Sequence, residues 1–351
     1  MRRSSSALFP ATLAAATLLA IVVPRTSSAQ TTEPPTTTQP PSLHWTLFFG
    51  GDTLLTRKIS AHTNPFARIR PPLSSADLAI VNVETSISLR GEPEVKEFTF
   101  RSVQDLPSRL ARAGVDVGSL ANNHSLDFGA DALSDTIDVL RSAGVQPVGV
   151  GSDLDDALTP AIVRAGGQTV AVFGGSLVVP NGSWAARATT PGVVVASTRS
   201  DIAKLLVAVR AAKDQHDVVI VIMHWGHEGA ACPNQGQQWA ARLLRRAGAT
   251  AVLGAHPHVL QPIVENDVTL DTRPTEPMLH GLIAYSLGNF IWSPRGGATG
   301  DTGLLELDFD GPTLVSHVFH PHRLDGNGWA SAVDPASATG RRIAARTTRH
   351  C

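Results

Sequence analysis

The chain has little cysteine, little tyrosine and almost no net charge. Two cysteines, Cys232 and Cys351, exclude a multi-bridge disulfide scaffold and a thiolate metal cluster. In an oxidising compartment the two can pair and staple the C-terminal segment near the His224 loop, or they can stand as unrelated thiols. A single tyrosine (Tyr285) and 5% aromatic residues argue against stacking platforms for bases or sugars. A formal net charge of -1, with 17% charged residues, leaves no strong field for nucleic acid. No internal repeat is visible in the 351 residues.

The N-terminus differs from the rest. Arg2-Arg3 precede an apolar stretch over 7–23, and Ser27-Ser28-Ala29 form a small-residue cleavage pattern. Residues 1–29 therefore read as a signal peptide, with a retained membrane anchor as the alternative, since the stretch approaches spanning length. Residues 30–42 are rich in Thr, Pro and Gln and form an extended spacer. The expectation is an exported protein, extracellular or at the cell surface. A folded domain then runs over 43–322, and a peripheral tail of little periodicity over 323–351.

Within the domain, six apolar runs stop at metal-capable side chains. Residues 45–51 end at Asp52, 77–83 at Glu84, and 115–121 at Asn122-Asn123-His124. Residues 218–223 end at His224 with Glu228 close behind, 251–255 at His256-Pro257-His258, and 281–285 at Ser286-Leu287-Gly288-Asn289. Runs of this length read as strands buried on both faces. In open α/β sheets ligands bind beyond the carboxyl ends of such strands.

Helical spacing over 105–113, 129–143, 200–213 and 235–247 alternates with these strands. Three of the helices stop at an Ala-Gly pair, a β-α-β punctuation. Residues 303–309 and 313–319 read as a hairpin across Asp310-Gly311.

Each ligand candidate has its own chemistry. A carboxylate such as Glu84 at the end of a buried strand is costly unless paired or metal-bound. Asn123 offers an amide oxygen suited to a hard or borderline cation. His124 can donate a proton, with Asp127 three residues on to orient it. Extended backbone would place His256 and His258 on one side. Glu228 can support His224 from behind. Arg57, Lys58, Lys96 and Arg101 lie near the motifs and can meet substrate carboxylates. His317, His320 and His322 form a looser group, a weak candidate for an accessory site.

Taken in order, the motifs resemble the CapA family of poly-γ-glutamate (capsule) biosynthesis proteins. They are Gly50-Gly51-Asp52, Asn82-Val83-Glu84, Asn122-Asn123-His124 with Asp127 and Gly129, His224-Trp225-Gly226 with Glu228, Gly254-Ala255-His256-Pro257-His258, and Tyr285-Ser286-Leu287-Gly288-Asn289-Phe290. That family is similar to the calcineurin-like metallophosphoesterases. The resemblance implies an α/β, metallo-dependent phosphatase-like αββα sandwich with the metal site at the strand C-terminal ends.

It further implies one or two divalent ions (Mn, Zn or Fe). Asp52 and His258 would hold one, Glu84 would bridge, and Asn123, His224 and His256 would hold the second. His124 would be the proton donor, while Arg57, Glu228 and Asn289 would face substrate. Metallophosphoesterases usually carry His two residues after the first Asp, where this chain has Leu54, so the first metal site is one ligand poorer.

The implied substrate is an anionic polymer such as poly-γ-glutamate, cleaved or transferred at an amide bond, with membrane-bound synthesis or export partners. Phosphoester hydrolysis would use the same ligands. A non-catalytic polyanion-binding or export factor would tolerate the depleted site.

Overall fold

The computed structural model describes residues 43–56, 64–266, 278–293 and 297–351. The expected leader and spacer lie outside these residues, as do Arg57 and Lys58.

The strands, in chain order, are β1 (His44–Thr53), β2 (Leu78–Val83), β3 (Val117–Ser119), β4 (Gln146–Val148), β5 (Val150–Gly151) and β6 (Ala161–Ala165). There follow β7 (Gln168–Ser176), β8 (Gly192–Val193), β9 (Val218–His224), β10 (Ala251–Ala255) and β11 (Ile263–Glu265). The last are β12 (Leu282–Ala284), β13 (Asn289–Ile291), β14 (Asp301–Asp310), β15 (Thr313–Leu324) and β16 (Ala330–Ala332).

Two large sheets result. The first runs β16-β15-β14-β1-β2-β3-β4, with β13 also paired to β1. Its β1–β4 half is parallel, and β14 to β16 add antiparallel strands. The second runs β11-β12-β10-β9-β7-β6, with a parallel centre and antiparallel edges.

Alternation along the strands sets the layers. In β9, Val218, Ile220 and Ile222 join Leu47, Phe49, Leu78, Ile80, Leu253 and Leu305 in one buried cluster between the sheets. Val219, Val221 and Met223 turn the other way, onto Leu205, Val209 and Leu244 of the helices Arg199–Gln215 and Gln235–Ala247. In the first sheet, Ala79, Val81 and Val83 face Leu110, Leu133 and Leu140 of the helices Leu106–Ala113 and Gly129–Ser142. The period of two thus builds four layers, helix-sheet-sheet-helix.

The helix stops behave as the Ala-Gly pairs predict. Gly114, Gly144 and Gly248 hold φ of 95°, 90° and 115°, the left-handed turn that other residues resist. The helix Gln235–Ala247 also carries a full capping box between Asn234 and Gln237.

The segment after Asp325 carries structure that its weak periodicity did not announce. Helix Ala338–Thr347 buries Ile343 completely and is capped by Ser337, which accepts from the Gly340 N–H. Its Arg342 and Arg346 meet Asp301, fully buried at the start of β14. Arg346 Nε stands 2.9 Å from the carboxylate, Arg342 Nη2 3.0 Å and Arg323 Nη1 3.5 Å.

Cys351 is bonded to Cys232, with Cα atoms 5.7 Å apart and 119 residues between them in sequence. The structure thus settles the pairing that the sequence left open. Closing a loop of that length is worth about 4–5 kcal/mol in the chain-entropy account.

Candidate metal centre

The strand ends bring acids from one sheet to imidazoles from the other. Asn82 and Glu84 lie two apart at the end of β2, so both face the gap between the sheets. Asp52 ends β1 after a register irregularity, and its backbone N–H donates to Gly288 O at 2.9 Å. A Cβ on Gly51 would fall 1.9 Å from that same oxygen, so only glycine fits there. His224 ends β9, and His256 and His258 follow β10.

The atoms converge on Glu84. Its Oε1 is fully buried and finds no hydrogen-bond partner among the described residues. Around it stand His224 Nε2 at 3.7 Å, His258 Nε2 at 3.8 Å and His124 Nε2 at 3.9 Å. Two triplets offer ligand atoms within 4.8 Å of one another: Glu84-His256-His258 and Asp52-Glu84-His224. Glu84 belongs to both, the position of a bridging carboxylate. The resemblance likewise has Glu84 bridging but groups Asp52 with His258 and His224 with His256, whereas these triplets group His256 with His258 and Asp52 with His224.

Asn123 joins the group, its Oδ1 lying 2.8 Å from His224 Nε2. Asp52 Oδ2 lies 3.0 Å from His258 Nδ1. The residues present therefore fit a divalent cation: carboxylate and amide oxygens and imidazole nitrogens gather at a carboxyl oxygen that has no hydrogen-bond partner among the described residues.

The electrostatics agree with that reading. Burial, reinforced by the Asp52 charge, pushes the Glu84 carboxyl well above its usual range. Burial also depresses the imidazoles: His224 well below its ordinary value, and His256 to about 3. Burial alone would raise Asp52, but His258 and the Asn82 amide outweigh it and hold it low.

Asn82 is a residue that the strand-end reasoning passed over. Its Nδ2 donates to Asp52 Oδ1 at 2.8 Å and to Glu84 Oε2 at 3.1 Å, tying the two acids together. The signal was present, since an amide inside an apolar run shares its face with Glu84. Asn122 in turn donates to Asn82 Oδ1 at 3.2 Å and to Val83 O at 2.9 Å.

His256-Pro257-His258 departs from the extended geometry expected of it. His256 has φ 97° and His258 φ 56°, both in the left-handed region. Such conformations cost of order 1–3 kcal/mol each and persist where the surroundings over-determine them. Here the His256 N–H lies 3.3 Å from each Asp52 oxygen. Gly254 makes room for the turn, because a Cβ there would fall 2.1 Å from Tyr285 O.

His124 is oriented as its neighbour suggested, with Nδ1 2.8 Å from Asp127 Oδ2. Lys96 completes the set. Its Nζ is 2.5 Å from Asp127 Oδ1, 2.5 Å from Asn123 O and 3.2 Å from His124 Nδ1. Lys96 is thus engaged inside the protein and not offered to substrate carboxylates. Arg101 is engaged too, donating to Arg90 O and Gly91 O at 2.8 and 2.9 Å. The cation role anticipated for these two is therefore not seen, and Arg57 lies outside the described residues.

Two cavities open beside the cluster. One of about 270 Å³ is lined by His124, His258 and Asn289 with Phe98, Phe100 and Trp292. One of about 560 Å³ is lined by His256, His227, Asn234, Trp239 and Leu177. Exposed Glu228 borders both. The three C-terminal histidines do not share a site: His320 meets Glu306 at 2.5 Å, His317 meets Glu265 at 3.4 Å, and buried His322 meets His320 O at 2.9 Å.

Comparison with known proteins decides the family. The family model of the bacterial capsule synthesis protein PGA_cap matches residues 46–293, a span that holds every strand-end ligand. The chain belongs to the PGA_cap family.

Among curated relatives, the PGA biosynthesis protein CapA of Bacillus subtilis is 29% identical over 74% of this chain and 66% of its own length. A probable polyglutamine synthesis accessory protein of Mycobacterium tuberculosis is 36% identical over 54% of this chain and 52% of its own length. The chain thus spans between about half and two thirds of the PGA_cap relatives it matches. A crystal structure of a hypothetical protein from Thermus thermophilus shares the fold, with a TM-score of 0.50 at 16% identity over 82% of this chain and 99% of that one.

Proposed function

We propose that this PGA_cap protein is a metal-dependent hydrolase or transferase acting at an amide bond of an anionic polymer in poly-γ-glutamate capsule synthesis or processing. The observation that carries the reading is Glu84 Oε1, buried and without a hydrogen-bond partner among the described residues, ringed by the Nε2 atoms of His124, His224 and His258. A buried carboxyl so placed stays protonated or is shared by a cation, and the imidazole nitrogens converging on it favour the cation. Mn, Zn or Fe suits the nitrogen and oxygen ligands.

When bound, such an ion lowers the pKa of a water and polarises a carbonyl. The chain does the rest. Asp52, Glu84, Asn123, His224, His256 and His258 would hold the ion or ion pair. Leu54, where a further ligand would stand, is instead packed in the core and 2% exposed, which favours one strongly held ion over two.

His124, steered by Asp127, would take a proton from the attacking water and pass it to the departing nitrogen. The water oxygen joins the acyl carbon, the carbon–nitrogen bond breaks, and the amine leaves with the proton. The N-terminal leader pattern supports export, with action at the cell surface beside membrane-bound partners.

The test is elemental analysis of protein reconstituted with Mn²⁺, Zn²⁺ or Fe²⁺, followed by assays on poly-γ-glutamate and on an aryl phosphate. New amino ends from the polymer are expected. Turnover of the phosphate alone overturns the amide reading. Absence of metal after reconstitution overturns the hydrolase and leaves a polyanion-binding or export factor.

A further inference from the structure

The two cavities beside the cluster share Glu228 and, among the described residues, neither is lined by Lys or Arg; they differ in that His124, Asn289 and three aromatic rings belong to the smaller one alone. The smaller one offers acceptors and aromatic faces. Asn289 is 2% exposed, and its Nδ2 donates to His258 O at 3.4 Å and Thr299 O at 3.2 Å. Those two carbonyls fix the amide, so Oδ1 is the atom it has left to offer, and Oδ1 has no hydrogen-bond partner among the described residues. Glu228 adds a carboxylate at the mouth, and Phe98, Phe100 and Trp292 supply ring faces. Among the described residues, no Lys or Arg lines this cavity. Both halves of the polymer carry carboxylates, but only the amine-bearing half gains an ammonium, which here would meet a carboxylate, an amide oxygen and aromatic rings.

We propose that the cavity of about 270 Å³ binds the amine-bearing half of the substrate, and holds it as an ammonium once the bond has broken. This rests on the amide-bond reading above. It assigns a direction to the cleft. His124 lies in the wall of this cavity, on the side where the leaving nitrogen emerges, while His256 faces the larger cavity, which takes the acyl half.

The experiment is a calorimetric or NMR titration of the full chain, stripped of metal by chelator, with two probes. L-Glutamate carries the ammonium, and glutarate carries the same two carboxylates without it. L-Glutamate is expected to bind about tenfold more tightly, Glu228→Gln to remove most of that preference, and Trp239→Ala, which alters the larger cavity alone, to leave it. Equal or tighter binding of glutarate overturns the assignment. So does a preference unchanged in Glu228→Gln, a preference lost in Trp239→Ala, or no measurable binding of L-glutamate. Polymer cleavage is read separately: a protein that prefers L-glutamate yet releases no amino ends keeps the ammonium site and loses the bond-breaking role.

Discussion

Two fully buried acids in this molecule are treated in opposite ways. Asp301 is surrounded by Arg323, Arg342 and Arg346, permanent cations brought by β15 and the C-terminal helix. Glu84 is surrounded by imidazoles, and burial depresses those of His224 and His256. Asp301 has its counter-charge built into the chain. Glu84 has a place for one. The difference separates an acid with its counter-charges in the chain from an acid that, on the proposed reading, awaits a ligand.

The largest effect that would test this contrast is on metal content. Glu84→Ala should lower affinity for Mn²⁺ or Zn²⁺ by a hundredfold or more, on the order of what even supporting residues around a metal cost. The metal-free variant should melt no lower than metal-free wild type, because a buried acid with one oxygen left without a partner among the described residues has been removed. Equal destabilisation of Glu84→Ala and Asp301→Ala in the absence of metal would erase the distinction.

His124→Ala sharpens it on the catalytic side. Polymer cleavage should fall by about 10²–10⁴ with metal occupancy unchanged, as for loss of a general acid or base. Loss of metal in that variant would make His124 a ligand instead.

Asp301→Ala should cost about 2 kcal/mol in urea unfolding, with metal binding intact. The cost is moderate because Arg323 and Arg342 are about half exposed and regain water when the acid is removed.

The smallest effect is in pH. His256 sits at about 3 in the folded chain, against an ordinary value near 6.5. The unfolded state therefore binds more protons between those values, and metal-free stability should fall as pH drops from about 6.5 toward 3. Glu84, shifted upward, works in the other direction, since its proton favours the folded state above its unfolded value. Melting temperatures of metal-free wild type and His256→Ala across pH 5 to 7 check the sign. The variant should show the shallower decline.

Much of the fold was legible because it rests on periodicities. The helix at 235–247 was read with its observed bounds, and the hairpin across Asp310-Gly311 and the strand-end positions of Asp52, Glu84 and His224 follow from apolar runs of fixed length. What escaped depends on contacts between distant segments. Lys96 sits in a loop without periodicity, and only the folded chain brings it to His124 and Asp127. The Cys232–Cys351 bond joins residues 119 apart, which no local pattern reports. The C-terminal helix is Ala- and Arg-rich, and its docking depends on Asp301 rather than on a broad apolar face. His256-Pro257-His258 was located correctly but given the wrong backbone, because spacing alone does not reveal a left-handed turn.

That turn has a consequence for anyone who would improve this protein. His256 and His258 occupy conformations that glycine or asparagine adopts at less cost. A selection for heat resistance alone would favour replacing both, by about 1 kcal/mol at each. The most stable descendants of such a campaign would be those that had discarded the candidate metal centre.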